Sequence, residues 1–291
     1  MKKIFKFDEK RAFAVITTLL DAKKNKKQIF ARADALQPYS ILPKGMERGS
    51  KEHALYLFAM MFFDHNIKSD ILYMNGRKVF EKEPLFFKPN VAINLPSKVD
   101  EIIKNDLHYK FLKGIEGFLD NYRKLSREYD GDPREIFNEK DVIRGLKEIQ
   151  KFNGYGPGLG SQLVCSFIEG EIVDFKNKED LPPKIDIHDI RISIGTGILK
   201  TKKKKIHKGR VISGLADFYQ RFCREKSLDL RAFDSALWIL GSKVCTKKNY
   251  SCQLDCPIEG YCVKLVSSYY EDGFIHLDVN KKSPQPGLKL K

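Results

Sequence analysis

The sequence predicts an all-α fold, and three observations carry that expectation. Apolar residues recur at helical spacing through most of the 291 residues, strand-like alternation is confined to two short pieces, and strong helix caps and glycine stops punctuate the chain. Hydrophobic residues make up 42% of the chain, a proportion that sustains a buried core. The length is sufficient for two domains.

The elements follow in order. The opening MKKIFKFDEKRAFAVITTLLDA is interrupted by Asp8, Glu9, Lys10 and Arg11, so it does not read as a signal peptide. It reads as an amphipathic helix with Phe13, Ile16, Leu19 and Leu20 on one face. KEHALYLFAMMFF (51–63) is apolar all round and predicts a helix buried on several sides. HYKFLKGIEGFLDNYRKLSREYDGDP predicts a long helix from 108, stopped by Gly131 and Pro133. NEKDVIRGLKEIQKF (138–152) opens with an Asn cap and places Val142, Ile143, Leu146, Ile149 and Phe152 on one stripe. Further helices are expected over 158–168, 187–195, 207–225 and 229–241. The strand candidates are EIVDF (171–175) and FIHLDV (274–279). LKTKKKKIHKGR (199–210) is a low-complexity basic stretch, and the last residues, NKKSPQPGLKLK, read as a loose tail. No apolar run approaches the ~20 residues of a membrane span, so no membrane partner is expected and the cytoplasm is the expected compartment.

Charge narrows the partner. Lys and Arg total 53 against 38 acids, a formal net charge of +15, which suits a polyanion such as nucleic acid. A lysine-rich solvated surface is the plain alternative, and the run Lys202 to Lys205 admits both readings.

Four of the six cysteines, Cys245, Cys252, Cys256 and Cys262, fall within CTKKNYSCQLDCPIEGYC. In a reducing compartment such a group is read as metal-ligating rather than disulfide-bonded. Four thiolates in one loop suit a [4Fe–4S] cluster or a zinc ion. No C-x2-C knuckle of the kind common in zinc sites occurs. Cys165 and Cys223 read as small core residues.

FNGYGPGLGSQLVCSFI (152–168) lies between two predicted helices. Gly154 and Gly156 allow positive φ and close backbone approach, and Pro157 fits the first turn of the next helix. The product is helix, tight hairpin, helix, with bare amides at a helix N-terminus that would accept a phosphate; an ordinary helix–helix turn is the alternative.

Three segments in this order resemble the helix-hairpin-helix DNA glycosylase superfamily, which contains endonuclease III and the MutY-type adenine glycosylases. GYGPGLGSQLV is similar to the family's L-P-G-V-G-x-x-T-A. KIDIHDIRIS (184–193) is similar to V-D-T-H-x-x-R-V, whose Asp is catalytic. FDSALWILGSKVCT (233–246) leads into the cysteines as the family's cluster segment does. The stretch from Tyr109 to Pro133 resembles an upstream family helix. The likeness spans roughly 105–265. The cluster spacing here is C-x6-C-x3-C-x5-C, one residue longer than the family's C-x6-C-x2-C-x5-C, and 169–184 is about ten residues longer than the family's connection.

The resemblance implies a six-helix domain over 48–180, with the helix-hairpin-helix at about 140–168. It implies a second helical domain from 1–47 plus 181–291, carrying the catalytic Asp and the cluster loop at 245–262. Asp186 falls on the catalytic Asp, His188 on the following His and Arg191 on the Arg. Gly158 stands where bifunctional members carry a Schiff-base Lys, so the resemblance is to the monofunctional branch. The implied function is a monofunctional DNA glycosylase hydrolysing the N-glycosidic bond of a damaged or mispaired base. The alternatives are a glycosidase of the same fold acting on RNA or nucleosides, and a non-catalytic nucleic-acid-binding protein. The implied cofactor is a [4Fe–4S] cluster, with zinc as the alternative. The implied partner is double-stranded DNA, bound by a monomer.

A carboxylate beside C1′ stabilises the positive charge that develops as an N-glycosidic bond breaks, which is the role expected of Asp186. The same Asp also reads as the N-cap of the helix at 187–195, and Asp189 is the next candidate. Backbone contacts are expected from Gly154, Tyr155, Gly156, Gly158, His188, Lys202, Lys203, Lys247 and Lys248. Arg191 reads as a structural ion-pair partner. Asp64, His65 and Asn66, after the buried helix, are candidates for reading a base edge; a plain turn between helices is the alternative.

Overall fold

The computed structural model describes residues 5–36, 41–64, 67–110, 113–245, 255–262 and 264–281. In chain order its elements are β1 (Lys6–Phe7), α1 (Glu9–Lys24), α2 (Lys51–Phe63), α3 (Ser69–Lys82), α4 (Pro89–Ala92), α5 (Pro96–Glu101), α6 (Lys113–Tyr129), α7 (Val142–Ile149), α8 (Pro157–Glu169), α9 (Ile187–Gly195), β2 (Leu199–Lys200), β3 (Lys205–His207), α10 (Lys208–Glu225), α11 (Leu230–Ile239), β4 (Lys264–Glu271) and β5 (Phe274–Lys281). The protein is mostly helical. Among the described residues no helix is long and apolar enough to cross a membrane. The chain divides into two compact units, Ala35–Leu181 and Met1–Asp34 with Pro182–Lys291.

The first of these units is organised around α2. Ser50 caps it by accepting the His53 N–H at 3.1 Å, and eleven of its 13 residues are buried. Phe58, Phe62 and Phe63 enter an aromatic cluster with Phe118 and Tyr122, whose rings lie 4.4 Å apart. α3 crosses α2 closely at Gly76, where a Cβ would sit 2.1 Å from Met60 Sδ.

Two helix boundaries differ from the sequence expectation, each for a backbone reason. The long helix does not run from 108: His108 holds φ +56° and the helical segment is α6, from Lys113. The helix after it does not begin at Asn138. Residues Pro133–Phe137 form a 3₁₀ turn and Lys140 takes φ +55°. Asp141 then caps α7 by accepting the Arg144 N–H at 2.8 Å. Ile143, expected on the buried stripe, is exposed, while Val142, Leu146, Ile149 and Phe152 are buried.

EIVDF (171–175) is not a strand. No neighbouring strand offers it a ladder; instead Ile172 and Phe175 drop into the core, and Phe175 packs edge-on against Phe137 at 5.4 Å. With Leu181 they pin residues 169–181 of the long connection to this unit's interior.

In the other unit, Asp8 caps α1 by accepting the Arg11 N–H at 3.0 Å. The buried stripe is Ala12, Val15, Ile16, Leu19 and Ala22, one position round from the expected one, and Phe13 is 47% exposed. α1 and α9 both pack on α11. β1 pairs antiparallel with β2, Phe7 opposite Leu199.

The departure from an all-α fold is a three-stranded antiparallel sheet ordered β3–β5–β4. FIHLDV is a strand, lying within β5, because KLVSSYYE (β4) pairs along its whole length. Ile206, Ile275, Leu277, Val266 and Ser268 are buried on the sheet's inner face, and β4 packs on α9.

Candidate active site and hairpin

Asp186 stands immediately before α9 in an extended conformation, φ −120° and ψ −169°. Its Oδ1 accepts the backbone N–H of His188 at 2.6 Å and of Asp189 at 3.3 Å. Asp189 Oδ2 accepts the Asp186 N–H at 2.6 Å, completing a capping box. The cap reading of Asp186 is therefore correct, and both capping bonds fall on Oδ1. Asp186 is half-buried, and the capping bonds leave Oδ2 unused.

Two further carboxyls surround it electrostatically. Burial pushes Asp189 well above the usual carboxylate range, with the negative charges of Asp186 and Asp234 adding to it. Asp234, from α11, is raised to about 7, first by burial and then by Asp186. Lys184, whose backbone N–H donates to Asp234, and Lys23 act in the opposite sense. Burial, then Asp186 and Asp189, also pushes the Tyr270 phenol upward, which brings the end of β4 into this carboxylate environment.

Arg191 is 4% exposed and ties α9 to the segment entering the cysteines. Its Nη2 donates to the carbonyl of Gly241 at 2.9 Å, to the carbonyl of Cys245, and to His188 Nδ1 at 2.8 Å. The expected ion pair is thus replaced by a cap on carbonyls: the Leu240–Val244 π-turn extends α11 and aims its carbonyls at the guanidinium. His188 is half-buried; burial lowers its pKa, and Gly241 has no Cβ to strike its ring, a Cβ there falling 2.4 Å from His188 Cβ.

In the other unit the hairpin is held from below. Gly154 takes φ +80°. Asn121, 1% exposed, accepts the Asn153 N–H at 2.7 Å and donates to its carbonyl at 2.8 Å. Tyr155 is 1% exposed, stacks on Phe58 at 5.2 Å, and donates its hydroxyl to the Phe58 carbonyl. The Tyr155 side chain is thus a core anchor. Gly154, Gly156 and Gly158 are exposed, and Gly156 caps α8 without any side-chain bond. Pro157 occupies the first turn, so the exposed N-terminal amides of α8 belong to small residues and open space surrounds Gly156.

Lys202 and Lys203 are exposed between β2 and β3. Asp64 is the C-cap of α2 and accepts from the Ser69 hydroxyl at 2.8 Å, which gives it a turn-forming role. His65, Asn66, Lys247, Lys248 and Cys252 lie outside the described residues. Cys245, Cys256 and Cys262 are half-buried, and Glu259–Tyr261 forms a 3₁₀ turn between the last two. Among the described residues no three His, Cys, Asp or Glu side chains gather as an ion's ligands. Cys223 is buried and its thiol is pushed up to about 12 by burial; Cys165 is half-buried in the other core.

Sequence reading missed Asp234, Asn121 and Tyr270. Asp234 stood inside a quoted motif, but nothing local ties it to Asp186. The chain matches no protein-family model and no curated protein.

Proposed function

We propose that the protein is a monofunctional DNA glycosylase that hydrolyses the N-glycosidic bond of a damaged or mispaired base in duplex DNA. The observation that carries the reading is the half-buried Asp186, with its cap bonds on Oδ1 and two carboxyls of raised pKa in its field. As the base departs, the sugar takes on oxocarbenium character, and Asp186 stabilises that charge at C1′ and orients the attacking water. Burial raises the pKa of the neighbouring Asp189, which favours its protonated form. The target nucleotide has to leave the stack to reach it. The amides of Gly156 and Gly158 suit a backbone phosphate, and Lys202 and Lys203 suit further phosphates. No lysine stands at position 158 to form a Schiff base, which supports hydrolysis without strand cleavage.

The donor set of Cys245, Cys252, Cys256 and Cys262, all thiols, fits a [4Fe–4S] cluster in kind, with zinc as the alternative. Such a group would order the loop bearing Lys247 and Lys248. Arg191, by gripping the Cys245 carbonyl, holds the first of these cysteines to the helix that Asp186 caps.

The test is Asp186→Asn on duplex oligonucleotides bearing a panel of altered and mispaired bases, with alkali revealing abasic sites. Asn caps helices as well as Asp does, so α9 is preserved. The expected result is unchanged DNA binding and base release reduced at least ~100-fold. Wild-type protein that releases no base across the panel, or an Asn variant as active as wild type, overturns the proposal. Iron and acid-labile sulfide in the purified protein distinguish the cluster from zinc.

A further inference from the structure

The sheet β3–β5–β4 has a second face that the proposed chemistry does not use. Its inner face is buried on α9. On the outer face the register sets Lys205, His276 and Tyr269 in one row across the three strands, and His207, Phe274 and Glu271 in the next. Tyr269 is 48% exposed and its ring lies parallel to that of His276, 4.8 Å between centroids and 10° between planes. Lys205 Nζ sits 4.5 Å from the centre of the Phe274 ring, and His207 meets that ring edge-on at 5.6 Å. Glu271, an acid of this face, lies 3.4 Å from His276 Nε2. Beside the rings run Lys202, Lys203, Lys204 and Lys205, all exposed.

A soluble protein gains nothing by setting flat rings outward on a sheet unless something covers them, and the charges beside them name what does. Four consecutive lysines next to an open, already paired ring stack offer phosphate contacts and a stacking surface together. That combination fits a strand of unpaired nucleotides: bases continue the Tyr269–His276 stack while the backbone follows the lysines. A duplex hides its base faces, and a protein or membrane partner would use the lysines without the stack.

We propose that the outer face of the β3–β5–β4 sheet is a binding platform for single-stranded nucleic acid, with Tyr269 and His276 as the stacking surface and Lys202 to Lys205 as the phosphate track. Its stacking surface uses neither Asp186 nor the glycine hairpin, while Lys202 and Lys203 are shared with the duplex contacts proposed above.

The experiment uses the full-length protein and undamaged single-stranded oligonucleotides carrying 2-aminopurine, with matched duplexes alongside. Binding is followed by anisotropy, and stacking by quenching of the 2-aminopurine. Tyr269→Phe keeps the ring and is expected to retain affinity and quenching. Tyr269→Leu keeps an apolar side chain in the strand but removes the ring; single-strand affinity is expected to fall about 5- to 100-fold with loss of quenching. Lys203→Ala with Lys204→Ala is expected to lower the slope of log K against log salt by about 1.4, some 0.7 per phosphate contact on a single strand. Thermal melts identify variants that have lost the fold, and the Lys pair, exposed outside any helix, reads the track independently of the strand. The proposal is overturned if folded Tyr269→Leu binds and quenches like wild type, if Tyr269→Leu loses duplex and single-strand affinity equally, or if the Lys pair leaves the single-strand salt slope unchanged. Base release is scored in parallel: its absence in wild type, with platform binding intact, counts against the glycosylase reading alone.

Discussion

Replacing Arg191 by Met tests whether the guanidinium is the strut that joins α9 to the cysteine segment. Three acceptors meet it: the carbonyls of Gly241 and Cys245 and His188 Nδ1. All three are reached through Nη2, which has only two hydrogens, so no more than two full bonds count. Charge-assisted bonds contribute about 1.5–3 kcal/mol each, which gives about 3–6 kcal/mol. Against this, Nε is buried without a partner among the described residues, a cost that Met removes. The net expectation is a loss of about 3 kcal/mol, taken toward the lower end for that offset. At about 2–4 °C per kcal/mol for a domain of this size, the thermal midpoint falls by about 6–12 °C. Circular dichroism melts of wild type, Arg191→Met and Arg191→Lys measure it, with Lys expected between the other two because its ammonium lacks the planar fork. A Met variant that melts within about 2 °C of wild type would refute the strut, since it would leave under ~1 kcal/mol for two buried charge-assisted bonds.

Two other substitutions follow from the same contacts. Asp234, ordinarily near 3.8 and raised to about 7 here, contributes stability that is full below about pH 4 and is lost as pH rises through about 7. Asp234→Asn, with no proton to lose, is expected to flatten that decline and to exceed wild type in urea midpoint at pH 8; a wild-type midpoint constant from pH 4 to 8 contradicts the assignment. Tyr155→Phe removes the hydroxyl bond to the Phe58 carbonyl beneath the hairpin, and is expected to cost about 1–2 kcal/mol by urea titration. An unchanged midpoint would mean the Phe58 carbonyl is satisfied within its own helix.

Features built from neighbouring residues could be read directly from the chain. Ser50 and the apolar run after it specify α2 from end to end. Gly154, Gly156 and Pro157 specify a turn that few other residues permit, and Asp186 with Asp189 specifies a capping box three residues wide. These signals are local because capping, positive φ and helical spacing act within one or two turns. Boundaries slipped where one residue adopted a left-handed backbone that its side chain does not announce, as at His108 and Lys140.

Tertiary structure decided everything that depends on residues far apart in the chain. EIVDF and FIHLDV have similar strand character, yet only the second has a partner, and a strand exists through its ladder rather than its own sequence. Asp234 meets the field of Asp186, and Arg191 meets the Gly241 carbonyl, only because α9 and α11 pack together. Tyr269, His276 and Lys205 form one row only because antiparallel pairing fixes their register. The raised carboxyls and the outward ring stack are consequences of burial and pairing, which sum over many distant contacts and leave no mark at any single position.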